Sequence, residues 1–273
     1  MNSLGGEKMS NEKDIINQII NAEELYIVYN QGAGYLYIDS DNRSLIFTSK
    51  ENAEHAVEEF KSRNIDIRIG EIDSKNKSIV LSELHRLGID KVLVDQGTLD
   101  MTLNRDDIIP PEDFGDMPEN DIPVTNPKIQ NAIIKFYQKI NDKDKKDDEE
   151  IMKLQENMFS EIADGRFIIP IKFKEGIVDS IEKNNIIVEN QGTKVIIASV
   201  SNREGEKWLP AFTDWFEFRK IFDVNEWSGN IVSYDDLVII SDTNSGIVIN
   251  CAGLSMNLKN TDKRVIVKYK KKC

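Results

Sequence analysis

Cysteine and histidine are scarce, with two of each in 273 residues. Two cysteines cannot build a disulfide framework, so the pattern reads as a reducing, cytosolic compartment. His55 and His85 both lie early, which leaves the second half of the chain without an imidazole base. Long apolar runs are missing as well. No stretch reaches the roughly 18 residues that a membrane-spanning helix needs, and the longest, such as Val195–Val200 and Gly246–Ile249, are strand-sized. The opening MNSLGGEKMS has no apolar segment of the kind a secretory signal requires. The expectation is a cytoplasmic protein with no membrane partner.

What is present is core and charge. Apolar residues make up 40% and charged residues 30%, enough to bury a real interior. The 48 acids outnumber the 35 bases, for a net charge of −13. A field of that sign repels phosphate backbones, so nucleic acid is excluded as a partner. The excess is one-sided: residues 1–124 carry the whole −13, and residues 125–273 balance. The end is basic, with Lys259, Lys263, Arg264, Lys268, Lys270, Lys271 and Lys272 against Asp262 alone. That tail reads as a solvated, frayed terminus, with docking onto an acidic partner as the alternative.

Four of the seven prolines (Pro110, Pro111, Pro118 and Pro123) and five acids fall between residues 110 and 123. Proline removes donors and holds its predecessor extended, so neither helix nor central strand runs through here. The expected organisation is a flexible N-terminus over 1–11, a first domain over 12–115, a linker over 116–124, a second domain over 125–262 and a basic tail over 263–273.

The two domains read as copies. Ser44–Ser49 ends in Phe47-Thr48-Ser49 and leads into an amphipathic helix over Lys50–Arg63; Trp208–Asp214 ends in Phe212-Thr213-Asp214 and leads into one over Trp215–Phe222. Thr48 with Glu51, and Asp214 with Glu217, have the spacing of a capping box. Further on, Val92-Leu-Val-Asp95-Gln-Gly97-Thr-Leu99-Asp-Met101-Thr-Leu103 matches Ile247-Val-Ile-Asn250-Cys251-Ala-Gly253-Leu254-Ser-Met256-Asn-Leu258. Two correspondences in one order, at nearly one separation, indicate a duplicated module. The repeat also settles Ser233–Ile240, β-branched but matched to the helical Ser78–Leu87, as a helix capped by Ser233.

Each copy therefore reads as helix, strand, strand, helix, sometimes strand, helix, strand, strand. The first has a helix over Glu12–Ala22 and strands over Leu25–Tyr29, Gly34–Ile38, Ser44–Phe47 and Asp66–Ile72. The second has helices over Lys128–Ile140 and Glu149–Ile162, then strands over Arg166–Phe173, Gly176–Ser180, Asn185–Glu189 and Lys194–Val200. Such mixed runs make an α+β fold, helices packed on a mixed sheet.

Pro127-Lys-Ile, Phe167-Ile-Ile-Pro170, Leu209-Pro-Ala-Phe212-Thr213-Asp214 and Gly246-Ile-Val-Ile-Asn250-Cys-Ala-Gly253 resemble the SseB family. The resemblance covers residues 125–260 and, more thinly, 12–110. The family pattern places proline after the Asn, where this chain has Cys251, and Asp95 replaces Asn in the first copy. The resemblance implies tandem SseB-like domains in a bacterial cytoplasmic protein with no established catalytic activity.

No catalytic constellation stands out. His55 lies off the apolar stripe of its helix, and His85 sits between Leu84 and Arg86; both read as exposed helix residues. Acid–base and nucleophilic chemistry needs a base within reach of a nucleophile, and Cys251 has none in its own half. Asp242-Thr-Asn244 and Asp39-Ser-Asp41 begin like calcium loops but end at Gly253 and Lys50 instead of Glu, so they read as turns. Gly32-Ala-Gly34 lacks the third glycine of a dinucleotide loop. Asp235-Asp236 reads as a helix start and Asp106-Asp107 as a strand-end loop. No catalytic residue, metal ligand or cofactor is assigned.

The candidate binding residues are Thr213, Asp214 and Trp215, at a helix N-terminus, and Asn250, Cys251 and Gly253, in the loop after a strand. Trp208, Trp215 and Trp227 fill the core or, alternatively, form a partner patch. The function expected is a non-catalytic protein-interaction or regulatory module whose acidic half steers a basic protein partner. The alternative is a small-ligand sensor or enzyme using the Asn250–Gly253 loop.

Overall fold

A computed structural model describes residues 4–118, 121–142, 147–175, 185–190 and 193–270. The architecture is α+β, and the chain divides into two compact units: Met1–Gly115 with Ile134–Met152, and Asp116–Ile133 with Lys153–Cys273. Among the described residues no helix is long and apolar enough to cross a membrane.

In the first unit, α1 (Leu4–Asn21) precedes β1 (Glu24–Asn30), β2 (Arg43–Phe47), α2 (Lys50–Ser62), β3 (Ile67–Asp73), α3 (Lys77–Arg86), β4 (Lys91–Val94), β5 (Met101–Asn104) and α4 (Arg105–Ile108). The sheet order is β3-β1-β2-β4-β5. β2 and β4 run parallel and the other neighbours antiparallel. Parallel strands need a crossover, and α2, β3 and α3 supply it. Ala53, Ala56 and Phe60 recur at helical spacing on α2 and pack on Tyr26, Val28, Leu45 and Phe47 of the sheet. Each large apolar side chain buried this way contributes about 1.5–3 kcal/mol.

The second unit takes in the start of α5 (Pro127–Ile140) and most of α6 (Asp148–Ala163). There follow β6 (Arg166–Glu175), β7 (Ile186–Asn190), β8 (Thr193–Ile197), β9 (Val200–Ser201), β10 (Lys207–Ala211), α7 (Trp215–Arg219), β11 (Ser228–Ser233), α8 (Tyr234–Ile240), β12 (Gly246–Ile249), β13 (Met256–Lys259) and α9 (Asn260–Ile266). Two four-stranded sheets form, β13-β12-β10-β9 and β11-β6-β8-β7. One bridge, Ile168 to Phe212, joins β6 to the end of β10 through a pair of 2.9 Å hydrogen bonds. Read across that bridge, the neighbour order β11-β6-β10-β12-β13 is that of the first unit's five strands, with β7, β8 and β9 as additions.

The repeated sequence occupies repeated registers. Val94 faces Met101 and Ile249 faces Met256; Val92 faces Leu103 and Ile247 faces Leu258. β10 and β12 are parallel, as β2 and β4 are. Ser233–Ile240 is helical as α8, and Ser233 and Asp236 close a reciprocal capping box.

Several expectations are corrected. The helix expected from Glu12 starts at Leu4, so residues 4–11 are helical instead of a flexible lead. Gly34–Ile38 is not a strand: Leu36 makes one bridge to Tyr29, and the Gln138 amide pairs with the backbone of Ile38 at 3.0 and 2.8 Å. That side chain replaces a ladder partner, and residues 134–152, expected in the second domain, belong to the first unit. Thr48 is not the cap of α2; Ser49 is, accepting from the Asn52 N–H at 3.2 Å. Asp106 and Asp107 lie in α4, not in a loop, and Arg105 bonding to Asp106 holds that carboxyl below its usual range.

His85 is not an exposed residue. Its Nε2 donates to the Ile109 carbonyl at 2.8 Å, which fixes the proton on Nε2 and ties α3 to the start of the proline-rich stretch. Residues 263–270 are not a frayed tail either. Lys263 is 4% exposed, Ile266 is fully buried, and Val267–Tyr269 forms a 3-10 turn. The apolar ring of Tyr269 against Phe159, at 5.8 Å, explains why the segment stays down. The strand expected at Gly176–Ser180 lies outside the described residues.

Candidate functional site

Both units build a corner where a strand ending in Phe-Thr meets the end of its parallel neighbour. In the first unit Asp95 follows β4 with φ 46°; in the second Asn250 follows β12 with φ 53°. Asp and Asn are the side chains that tolerate this left-handed backbone best after glycine. Each Asx donates its N–H back across the parallel pair, Asp95 to Ile46 and Asn250 to Ala211, both at 2.9 Å. The left-handed turn then swings the side chain toward the threonine.

The chemistry of the two clasps differs. Asp95 Oδ1 accepts from the Thr48 N–H at 2.9 Å, and Oδ2 accepts from the Thr48 hydroxyl at 2.6 Å. Asn250 Oδ1 accepts from the Thr213 N–H at 3.0 Å, but its Nδ2 donates to Thr213 Oγ1 at 2.9 Å. The hydroxyl proton of Thr213 is left with two long acceptors, Asn250 Oδ1 at 3.3 Å and Asp214 Oδ2 at 3.5 Å.

The second corner belongs to a buried polar network. Thr213, Asp214 and Asn250 are at most 4% exposed. Asp214 caps α7, accepting from the Glu217 N–H at 2.8 Å, and its other oxygen accepts from Gln130 at 2.6 Å. Asn126 donates to the carbonyls of Arg166 and Thr213, each at 2.7 Å. Glu217 is fully buried, with the Lys220 ammonium 2.7 Å from its carboxylate. Asn126 and Gln130 were not anticipated, and Glu217 was expected only as a capping partner of Asp214. An Asn just ahead of Pro127 carries a helix-start signal, whereas Gln130 has no local mark, and Glu217, between Phe216 and Phe218, is marked only by its capping-box spacing from Asp214.

The remaining candidates pack rather than project. Cys251 is half-buried against the cluster of Ile168, Ala198, Phe212, Phe218 and Phe222. Burial raises its thiol pKa, and nearby Glu217 raises it further, so little thiolate forms at neutral pH. The Gly253 N–H closes the turn on the Asn250 carbonyl at 2.8 Å. Trp215 lies over Gly229, where a Cβ would stand 2.4 Å from its ring, and meets the edge of Phe218 at 5.2 Å. Trp208 is buried over Gly246, and Trp227 packs edge-on to Phe222 at 5.3 Å. The three tryptophans thus fill or flank the core.

Elsewhere, Asp39 accepts from the backbone of Asp41 and Arg43, both at 2.9 Å, which makes that segment a turn. Among the described residues no group of three or more His, Cys, Asp or Glu is placed to hold a metal ion.

No family model matches the chain, and no curated protein matches it. The solved structure of Anabaena Tic22 (protein transport) is similar at 9% identity, over 84% of this chain and 85% of that one, with a TM-score of 0.18. A score that low carries no argument about fold or function.

Proposed function

We propose that this chain is an SseB-like, non-catalytic cytoplasmic protein whose acidic first unit binds a protein with a basic surface. The observation that carries this reading is the outward face of α2. Ala53, Ala56 and Phe60 hold the helix down, and Glu51, Glu54, Glu58 and Glu59 are left exposed. They lie within the 124 residues that carry the whole net charge of −13. Such a surface raises encounter rates with a cationic partner within a Debye length of about 8–10 Å. Polyphosphate chains are repelled by the same field.

The reading as a ligand sensor or enzyme at the Asn250–Gly253 loop has less behind it. The Asn250 amide is engaged by Thr213 at both ends, and burial keeps Cys251 a thiol.

The test is retention of proteins from a bacterial extract on the immobilised full chain. Proteins held at low salt should elute at high salt, and a variant with Glu51, Glu54, Glu58 and Glu59 all changed to Gln should fail to hold them. Retention of nothing by the unaltered chain, or of the same proteins by the variant, overturns the proposal.

A further inference from the structure

We propose that a second copy of this chain presents the basic surface itself: α9 and the 3-10 turn after it, on one copy, dock on the outward face of α2 of another. The inference rests on the reading above, that the exposed acids of α2 receive a basic protein.

The basic segment is pre-organised. The Lys263 ammonium donates to Ser241 Oγ at 2.8 Å and to the Ser241 carbonyl at 3.3 Å, at the C-terminal end of α8. Ile266 is fully buried, and Tyr269 meets Phe159 edge-on. With those three side chains turned inward, Arg264, Val265, Val267 and Lys268 face outward, each valine 40% exposed. The one acid among the seven bases of Lys259–Lys272 is Asp262, and it accepts from the Lys259 N–H at 2.9 Å, as a cap. Two exposed valines between cations make an apolar centre with a charged rim, the general layout of an interface.

The receiving face is equally fixed. Ser49 caps α2, and its apolar stripe is anchored, so the glutamates keep their spacing. Glu54 and Glu58 are four residues apart on α2, about 5–6 Å between side chains, and Arg264 of α9 and Lys268 of the 3-10 turn after it bracket the two exposed valines. Each glutamate can therefore face one cation. Lys50 and Lys61 flank the glutamates at 4.0 and 3.4 Å, but exposed pairs of that kind are weak and exchangeable.

Sedimentation of the concentrated full chain, at low salt and at about 0.5 M salt, where the Debye length falls to about 4–5 Å, decides the matter. The expected result is a mass above the monomer at low salt that returns to the monomer at high salt. Variants R264E/K268E and E54K/E58K should each remain monomeric, and their equimolar mixture should associate again, because the reversed charges re-pair. All four positions are exposed, and unchanged circular dichroism and melting temperature establish that the variants fold. A monomer at low salt, association of either variant as strong as the original, or a mixture that stays monomeric overturns the inference. If the unaltered chain is monomeric yet still retains basic proteins from the extract, the proposed function stands and this inference alone fails; if it also retains nothing, both fail.

Discussion

The corner at Thr48 and the corner at Thr213 share a backbone and a Phe-Thr step and differ in the polar side chains around them. Strand register, the left-handed Asx and the hydrogen bond back across the parallel pair are common to both. At the Thr48 corner a carboxylate takes two protons, from an N–H and a hydroxyl; at Thr213 an amide takes one and gives one. At the far end of the same strand pairs, Arg43 faces Lys91 in the first unit, where Trp208 faces Gly246 in the second. The helix that leaves each corner differs too. α2 has 13 residues and a glutamate-rich outer face, and α7 has 5, with Phe216 and, just beyond it, Ile221 and Val224 roughly half exposed. A backbone solution held constant while polarity inverts around it separates what the scaffold requires from what its surface is free to do.

The largest expected effect breaks the comparison at the Arg43/Trp208 end. A Cβ at Gly246 would stand 2.2 Å from the Leu258 carbonyl oxygen and 2.5 Å from the Trp208 ring. The first obstacle is backbone of the paired strand, which cannot rotate away. Gly246→Ala should therefore cost about 3 kcal/mol or more, at the upper end of overpacking effects. Lys91→Ala, at the matching exposed position, should stay within about 0.5 kcal/mol. Urea denaturation of the two variants measures both. A loss under about 1 kcal/mol for Gly246→Ala would show that β13 yields, and the contrast between the two strand ends would disappear.

The corners also mark how far the residues alone could be read. Phe-Thr followed by a small polar residue, and Leu-x-Met-x-Leu after an Asx, located both strand pairs and the helices between them, because apolar period and turn chemistry are local properties. The α+β class followed from the same signals. What stayed hidden is non-local. Thr48 has a respectable capping-box spacing with Glu51, yet Asp95, 47 residues away, claims its hydroxyl and the cap passes to Ser49. The strand-like run at Gly34–Ile38 is partnered by a glutamine about a hundred residues later. The basic tail looked solvated because nothing in its composition announces that Lys263 meets Ser241 in the interior. At the candidate site, Thr213, Asp214 and Asn250 were legible as a group, but their inward orientation was not, since burial depends on Asn126 and Gln130 from a distant helix.

A smaller effect sharpens the contrast between the two clasps. In Asp95→Asn, Nδ2 can donate to Thr48 Oγ1 as Asn250 does to Thr213, so the change should cost about 1 kcal/mol or less. Asn250→Asp places a second buried carboxylate beside Asp214 around one hydroxyl, and should cost about 2–3 kcal/mol at neutral pH. Desolvation and like charge would raise the new carboxyl's pKa in the folded state. The native form then binds the extra proton more readily than the unfolded chain, so the variant should recover stability as pH falls. Denaturation at pH about 7 and about 5 tests this; equal losses at both values would mean that the new carboxyl takes up no proton on folding, and a loss near zero at pH about 7 that the two clasps are interchangeable.

The smallest effect concerns how the matching helices α3 and α8 begin. α8 has a full capping box, whereas Asn76 ahead of α3 makes no side-chain cap bond. Bonds from the Ser233 hydroxyl and backbone N–H hold the Asp236 carboxyl below its usual range. A lowered carboxyl pKa contributes stability that is present above the ordinary value and lost as pH falls through the lowered one. Acid should therefore loosen the first turn of α8 before that of α3, which has no acid in its first turn; the Asp73 carboxylate ahead of it accepts from the Lys75 and Asn76 N–H groups, outside the helix. Amide hydrogen exchange followed from pH about 7 to about 3, corrected for intrinsic rates, reads the difference helix by helix. Asp236→Asn should abolish the acid-dependent part in α8 and leave α3 untouched. If the two helices lose protection in parallel, the cap is not what sets the acid response, and the two helix starts, unlike in sequence, would be alike in energy.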